Sequence, residues 1–402
     1  MSSIPDIPQE LVAKIVGELR DDLPSLRASA LISRSFLPWS RLHLFFSVRL
    51  TPRNVYAFRT LVSPSSDVAM YIRRLDIPLI NNDLPSSALL PPESLAQLPH
   101  ITHLSAHGDP FGVRQLSDVQ RALLGRGLHH VTTVHIRILN HVCALPEWAR
   151  VLNGCSSLTE LDIHAESNGH GWATWNADEL QMPAVPTTEG QNLPRLHTVR
   201  IAGDCKVLGP LGRWLVPSGL LDTLHTLSID VVYVRGDYDL PDQRPALVLA
   251  AASQLQELTL HLDPPMTLAT GDSHPISLAS FPHLRSLHFK DGEDANVSDS
   301  LAWLNQFLHL GLGALEHITI DHGMIQRDLL EVPATTWYAL EEALLRSEDG
   351  GPRFLGLTFK GYNKFSFGSP DAFDRHAFDR FEALLRCYLP RVETAGMLRI
   401  VR

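Results

Sequence analysis

Cysteine is scarce in this sequence of 402 residues, with four copies, Cys143, Cys155, Cys205 and Cys387, and no CxxC spacing among them. That excludes a disulfide framework and a cysteine-based zinc knuckle, and the four read as buried thiols in a reducing compartment. Long apolar runs are missing too. The longest of note, Ala246 to Ala252, is far short of the ~18 residues of a membrane-spanning helix. No charged-then-apolar leader opens the sequence, so neither secretion nor membrane insertion is expected, and the setting expected is cytoplasmic or nuclear. Positive charge is in deficit: the formal net charge of −10 makes nucleic acid an unsuitable partner for the body of the chain. Catalytic signatures are absent as well, since no phosphate loop, GxSxG elbow or HExxH occurs, and no enzyme, metal or cofactor is expected. The acidic run Asp291-Gly292-Glu293-Asp294-Ala295-Asn296 lacks the ligand spacing of a calcium loop. Gly169-His170-Gly171 is too short a signal to carry chemistry.

What the sequence does have is apolar material, 44% of its residues, enough for a continuous core. Much of it is organised as one short phrase, apolar-x-x-apolar-x-apolar. It begins at Ile72, Ile101, Val131, Leu158, Leu196, Leu224, Leu255, Leu284, Leu315 and Phe354, with a weaker copy at Val392-Ala395-Met397. Successive starts are 27 to 39 residues apart, the signature of a solenoid. Each phrase reads as a strand whose alternate residues point inward. Between phrases lie helical segments with apolar residues at three- and four-residue spacing: Leu116 to Leu124, Glu147 to Leu152, Leu211 to Val216, Ala246 to Ala252, Leu301 to Leu310, Trp337 to Leu345 and Phe378 to Tyr388. Thr51 and Pro52 open one more, with Val55, Phe58 and Leu61 on its buried face. A strand and a helix cannot hide their apolar faces alone, so the units are expected to stack, strands parallel and helices behind. A doubly wound α/β sheet would also alternate strand and helix.

The first fifty residues differ. Ile7, Leu11, Ile15 and Leu19 recur every four positions behind Pro8, widened by Val12 and Val16, and predict a first helix. Asp21, Asp22 and Pro24 close it and open a second, in which Leu26, Ala30 and Leu31 are expected to share a face. Arg34 to His43 gives a third, carrying Phe36 and Trp39. Through Arg59 this region has eight Lys or Arg against five acids, +3, which leaves −13 for the remainder.

The order Ile7-Pro8-x-Glu10-Leu11-x-x-x-Ile15-x-x-x-Leu19, then Leu26, Leu31, Ser33-Arg34-Ser35-Phe36 and Trp39, resembles an F-box. It is especially similar to the F-box proteins abundant in mushroom-forming fungi, where such a motif runs into residues like His43 to Leu50 and then a repeat domain. Ser33 and Phe36 stand where the family often has cysteine and tryptophan. The repeats behind it resemble leucine-rich repeats, without the asparagine that usually follows the strand. The resemblance implies an α/β chain: a three-helix F-box over residues 1–47, then a leucine-rich-repeat-like solenoid over residues 48–402 with strands on a concave face. It further implies docking of Ile7, Pro8, Leu11, Ile15, Leu19, Leu26, Leu31, Phe36 and Trp39 onto a Skp-type adaptor and through it a cullin scaffold, while the repeats hold a protein for ubiquitylation. The other reading of the helices is a cap on a repeat scaffold with no ligase role; buried Ile7, Leu11 and Trp39 would favour it.

Three stretches exceed the repeat: His164 to Pro194, Asp263 to Pro282 and Gly361 to Pro370. The first carries Trp172 and Trp175 in a polar setting, with Glu160, Asp162 and His164 leading into it, and these five are the expected substrate contacts. Trp172 and Trp175 could equally plug the space of a missing helix. Histidine is enriched on outward strand positions, at His103, His107, His135, His164, His261, His288 and His317, as suits a polar sheet surface that contacts protein.

Overall fold

A computed structural model describes residues 7–51, 53–63, 67–77, 92–107, 124, 126–139, 145–166, 194–232, 244–262, 278–291, 297–308, 313–323, 332–346, 354–362 and 375–401. Described residues up to Arg195 belong to one compact unit and those from Leu196 onward to a second.

The first unit opens with α1 (Gln9–Glu18), α2 (Leu23–Ile32) and α3 (Leu37–Phe45). Asp22 caps α2, its carboxylate accepting from the Ser25 N–H at 3.2 Å and the Ser25 hydroxyl at 2.6 Å. Val12, Val16, Leu26 and Phe36 form the core of this head, with Leu19, Trp39 and Leu44 against it. Two small buried hydroxyls, Ser29 and Ser40, bond to each other at 2.8 Å and let α2 and α3 approach closely. Ser29, not Leu31, therefore shares the inward face with Leu26; Leu31 lies five residues on, about 140° around the helix, and is 87% exposed.

Phe46 ties the head to a sheet, its carbonyl accepting from Arg73 and Arg74 N–H at 3.0 and 2.9 Å. That sheet is β1 (Ser47–Arg49), β2 (Arg74–Ile77), β3 (His103–His107), β4 (Thr133–Leu139) and β5 (Glu160–Glu166), each parallel to the next. The expected boundary after residue 47 thus falls inside β1. Thr102, Thr132 and Thr159 add rungs at the strand entrances, each hydroxyl donating to the carbonyl of the preceding unit at 3.1 to 3.2 Å.

The second unit repeats the arrangement with β6 (Thr198–Asp204), β7 (Thr226–Val232), β8 (Glu257–Leu262), β9 (Ser286–Asp291), β10 (His317–Gly323), β11 (Gly356–Tyr362) and β12 (Leu398–Val401), again parallel and in chain order. Register puts the middle apolar residues of successive phrases side by side: Val199, Leu227, Leu258, Leu287, Ile318 and Leu357 form one buried row. A second row holds Ile201, Ile229, Leu260, Phe289, Ile320 and Phe359. A one-residue slip would turn every one of these outward, which fixes the register.

Helices cover that face. In the first unit they are α4 (Val55–Leu61), α5 (Pro92–Ala96) and α6 (Leu145–Leu152); in the second, α7 (Leu208–Leu215), α8 (Arg244–Ala251), α9 (Val297–Leu308), α10 (Ala334–Leu345), α11 (Arg375–Tyr388) and α12 (Pro390–Thr394). Aromatic pairs join the layers: Phe289 meets Trp303 edge-on at 4.9 Å, and Trp337 lies 6.3 Å from Phe359 while stacking on Tyr388. Buried Glu341 of α10 accepts from the Arg391 and Val392 N–H groups at 2.6 and 3.2 Å, satisfying two orphan donors of α12.

Several expectations change. The last phrase is misplaced: Val392 is in α12, and Gly396 at φ 71 turns the chain into a strand that starts at Leu398, so Leu398 and Ile400 are the partners of Leu357 and Phe359. In α4 the buried residues are Val55 and Phe58, followed by Val62, while Leu61 points out. Thr51 and Asn54 exchange hydrogen bonds one turn before that helix. Cys155 and Cys205 are buried, and burial pushes the Cys155 thiol up to about 12, but Cys387 is exposed. Leu116 to Leu123, Pro52 and Cys143 lie outside the described residues.

Candidate functional site

Among the described residues, two surfaces carry expected site residues. The first is the outside of the helical head. Val12 and Val16, one turn apart, occupy the inward side of α1, so the four-residue stripe Ile7, Leu11 and Ile15 is left on the other side, 45%, 52% and 47% exposed. Pro8 is exposed at the start of α1. On α2, Leu31 is exposed as well, with Ile32 next to it in sequence and Leu23 at the start of the helix also exposed. Leu26 and Phe36 lie elsewhere: both are buried in the head's own core, and Leu19 packs against it, so these three hold the helices together rather than offer contact area. Trp39 is half-buried, its indole N–H donating to Gln9 Oε1 at 3.0 Å, which locks α3 to the start of α1. Basic side chains surround this surface in sequence, from Lys14 and Arg20 to Arg27 and Arg34.

The second is the strand face turned away from the helices. In the first unit, Glu160, Asp162 and His164 of β5 stand beside Thr133, His135 and Arg137 of β4. Asp162 Oδ2 lies 3.1 Å from His135 Nδ1, and the Thr133 hydroxyl donates to Glu160 at 3.5 Å. Asp76 of β2 is held between Arg49, at 2.8 Å, and His107, at 2.9 Å. His103 is pushed below its ordinary value, first by burial and then by the positive charges of Arg74 and His135, with Glu160 opposing. Trp172 and Trp175 lie outside the described residues.

The second unit carries a longer chain of charges. Asp230 of β7 is 2.8 Å from His261 Nδ1 on β8 and in contact with Lys290 on β9. Asp321 of β10 is 2.8 Å from His288 Nε2 on β9 and 3.7 Å from Lys360 Nζ on β11. The hydrogen bond from His261 holds the Asp230 carboxyl far below the usual carboxylate range, with Lys290 adding to it against the opposing effect of burial. Burial would raise Asp321, but contact with His288 and the charges of His288, Lys360 and Lys290 outweigh it and leave the group lowered. None of Asp230, Lys290, Asp321 and Lys360 stands out in the sequence. Their signal is positional: each is the seventh residue of its phrase, as is His261, so the parallel register brings them into one row across the sheet.

Among the described residues no group of three or more His, Cys, Asp or Glu could hold a metal ion. Among them, too, no helix is long and apolar enough to cross a membrane. One surface is apolar and helical, the other polar, ionic and hydroxyl-bearing. No protein-family model matches the chain, and no curated protein matches it either.

Proposed function

We propose that this chain is the substrate-recognition subunit of a Skp–cullin–F-box ubiquitin ligase, with the helical head docking on the Skp-type adaptor and the leucine-rich-repeat-like body holding the protein to be ubiquitylated. It catalyses nothing itself; its role is to bring two proteins together in the cytoplasm or nucleus. The observation that carries the reading is the outward apolar stripe Ile7, Leu11 and Ile15 of α1, together with exposed Leu31 of α2, on a head that already has its own core. A cap would turn that stripe onto the sheet. Burying side chains of this kind contributes about 1.5 to 3 kcal/mol apiece before association costs, so four of them suit the centre of a protein interface.

The alternative is a repeat scaffold without a ligase role, favoured by the backbone bonds from Arg73 and Arg74 to Phe46 that join head and sheet. Titration calorimetry of the full chain against a purified Skp-type adaptor separates the two. Binding at micromolar concentration is expected, abolished by Leu11→Asp or Leu31→Asp with the melting temperature unchanged. No association of the wild-type chain with any Skp-type adaptor would leave the scaffold reading standing.

A further inference from the structure

The outer strand face of the second unit differs in charge from the chain that carries it. Its fixed cations are Arg200, Lys290, Lys360 and Arg399. Its acids are Asp230, Glu257 and Asp321. Four against three leave the face at +1 in a chain of −10, so everything else amounts to −11. Three histidines, His261, His288 and His317, lie in the same rows. At the entrance to these strands Arg285 and Glu316 are 3.9 Å apart and offset each other. Between the charges run hydroxyls: Ser228, Thr259, Thr319 and Thr358 share one row with His288.

We infer that this face docks an extended, Asp- and Glu-rich segment of a partner protein, laid across the strands from β8 to β12. Of the two strand faces described above it is the one with a net positive charge, and a negative segment complements it. Spacing favours a run of carboxylates over a single phosphate. Lys290 and Lys360 are two strands apart, roughly 10 Å, with Asp321 between them, whereas a phosphate calls for cations converging on one point. Threonine and serine hydroxyls along the middle row can donate to the segment's carboxylates or backbone carbonyls.

The inference rests on the reading of the strand face as the capture surface, and not on docking of the head, so it is tested with the full chain and no adaptor. Fluorescence anisotropy would follow a labelled peptide alternating Asp or Glu with Gly and Ser, its Asn/Gln counterpart, and a neutral peptide with one phosphoserine. The acidic peptide is expected to bind and the amide peptide not. Arg399→Gln combined with Lys360→Gln should weaken it about tenfold at an unchanged melting temperature. Among the described residues Arg399 makes no ion pair, so the single Arg399→Gln change gives the same direction should the double variant prove unstable. Equal affinity for the amide peptide, or an acidic peptide that fails to bind, overturns the inference. Binding of the phosphoserine peptide alone overturns it in favour of a phosphate site.

Discussion

Single residues on the strand faces work through partners one strand away. Asp230 is the sharpest case, because a carboxylate held far below its ordinary value by His261 and Lys290 links folding to pH. The folded pKa is depressed, so the stabilisation is present above the unfolded value of about 3.9 and is lost as pH falls through the folded value. Asp230→Asn should therefore lower the melting temperature at neutral pH, and its difference from wild type should shrink steadily in acid, below about pH 4. Scanning calorimetry across that range checks it; a constant difference would show that the side chain matters by shape and not by charge. None of this was legible beforehand, because Asp230 and His261 are 31 residues apart and meet only through the register of β7 and β8.

At the scale of elements, the strand phrase was a dependable guide wherever its residues had neighbours on both sides. Leu258 of β8 lies between Leu227 and Leu287 and is almost wholly buried. Leu258→Ala should cost about 2 to 5 kcal/mol, through lost transfer energy and a cavity that neither neighbouring strand can close, and urea denaturation measures it directly. The phrase misled at the end of the chain. Val392-Ala395-Met397 has the right spacing, but Pro390 and the carboxylate of Glu341 start a helix there, and the strand follows the Gly396 turn. Nor did it reveal β1, whose three residues are too few to show alternation. For the helical head, the existence of α1, α2 and α3 was readable from caps and spacing. Their facing was not. Ile7, Leu11 and Ile15 form as regular a stripe as Val12 and Val16, and only the meeting with Leu26 and Phe36 decides which pair of turns goes inside.

Across the whole molecule, charge is divided between a helical region of +3 and a remainder of −13. If the head docks on an acidic adaptor, steering by Lys14, Arg20, Arg27 and Arg34 should speed the encounter. The association rate, followed by stopped-flow fluorescence, is then expected to fall severalfold as salt is raised while the dissociation rate changes little. An association rate indifferent to salt would mean that the apolar stripe acts alone. The sequence by itself determined the kind of chain this is: parallel strands and helices in alternation, because apolar residues at period two and period 3.6 leave each unit unable to hide its own surface. It also determined the three helices in front. What only the tertiary structure decided is which apolar residues stay outside, Leu31 against Leu26 and Leu11 against Val12, and which acids find which histidines. Both depend on distances between segments tens of residues apart, and local periodicity holds no information about those until the register of the sheet and the packing of the helices are set.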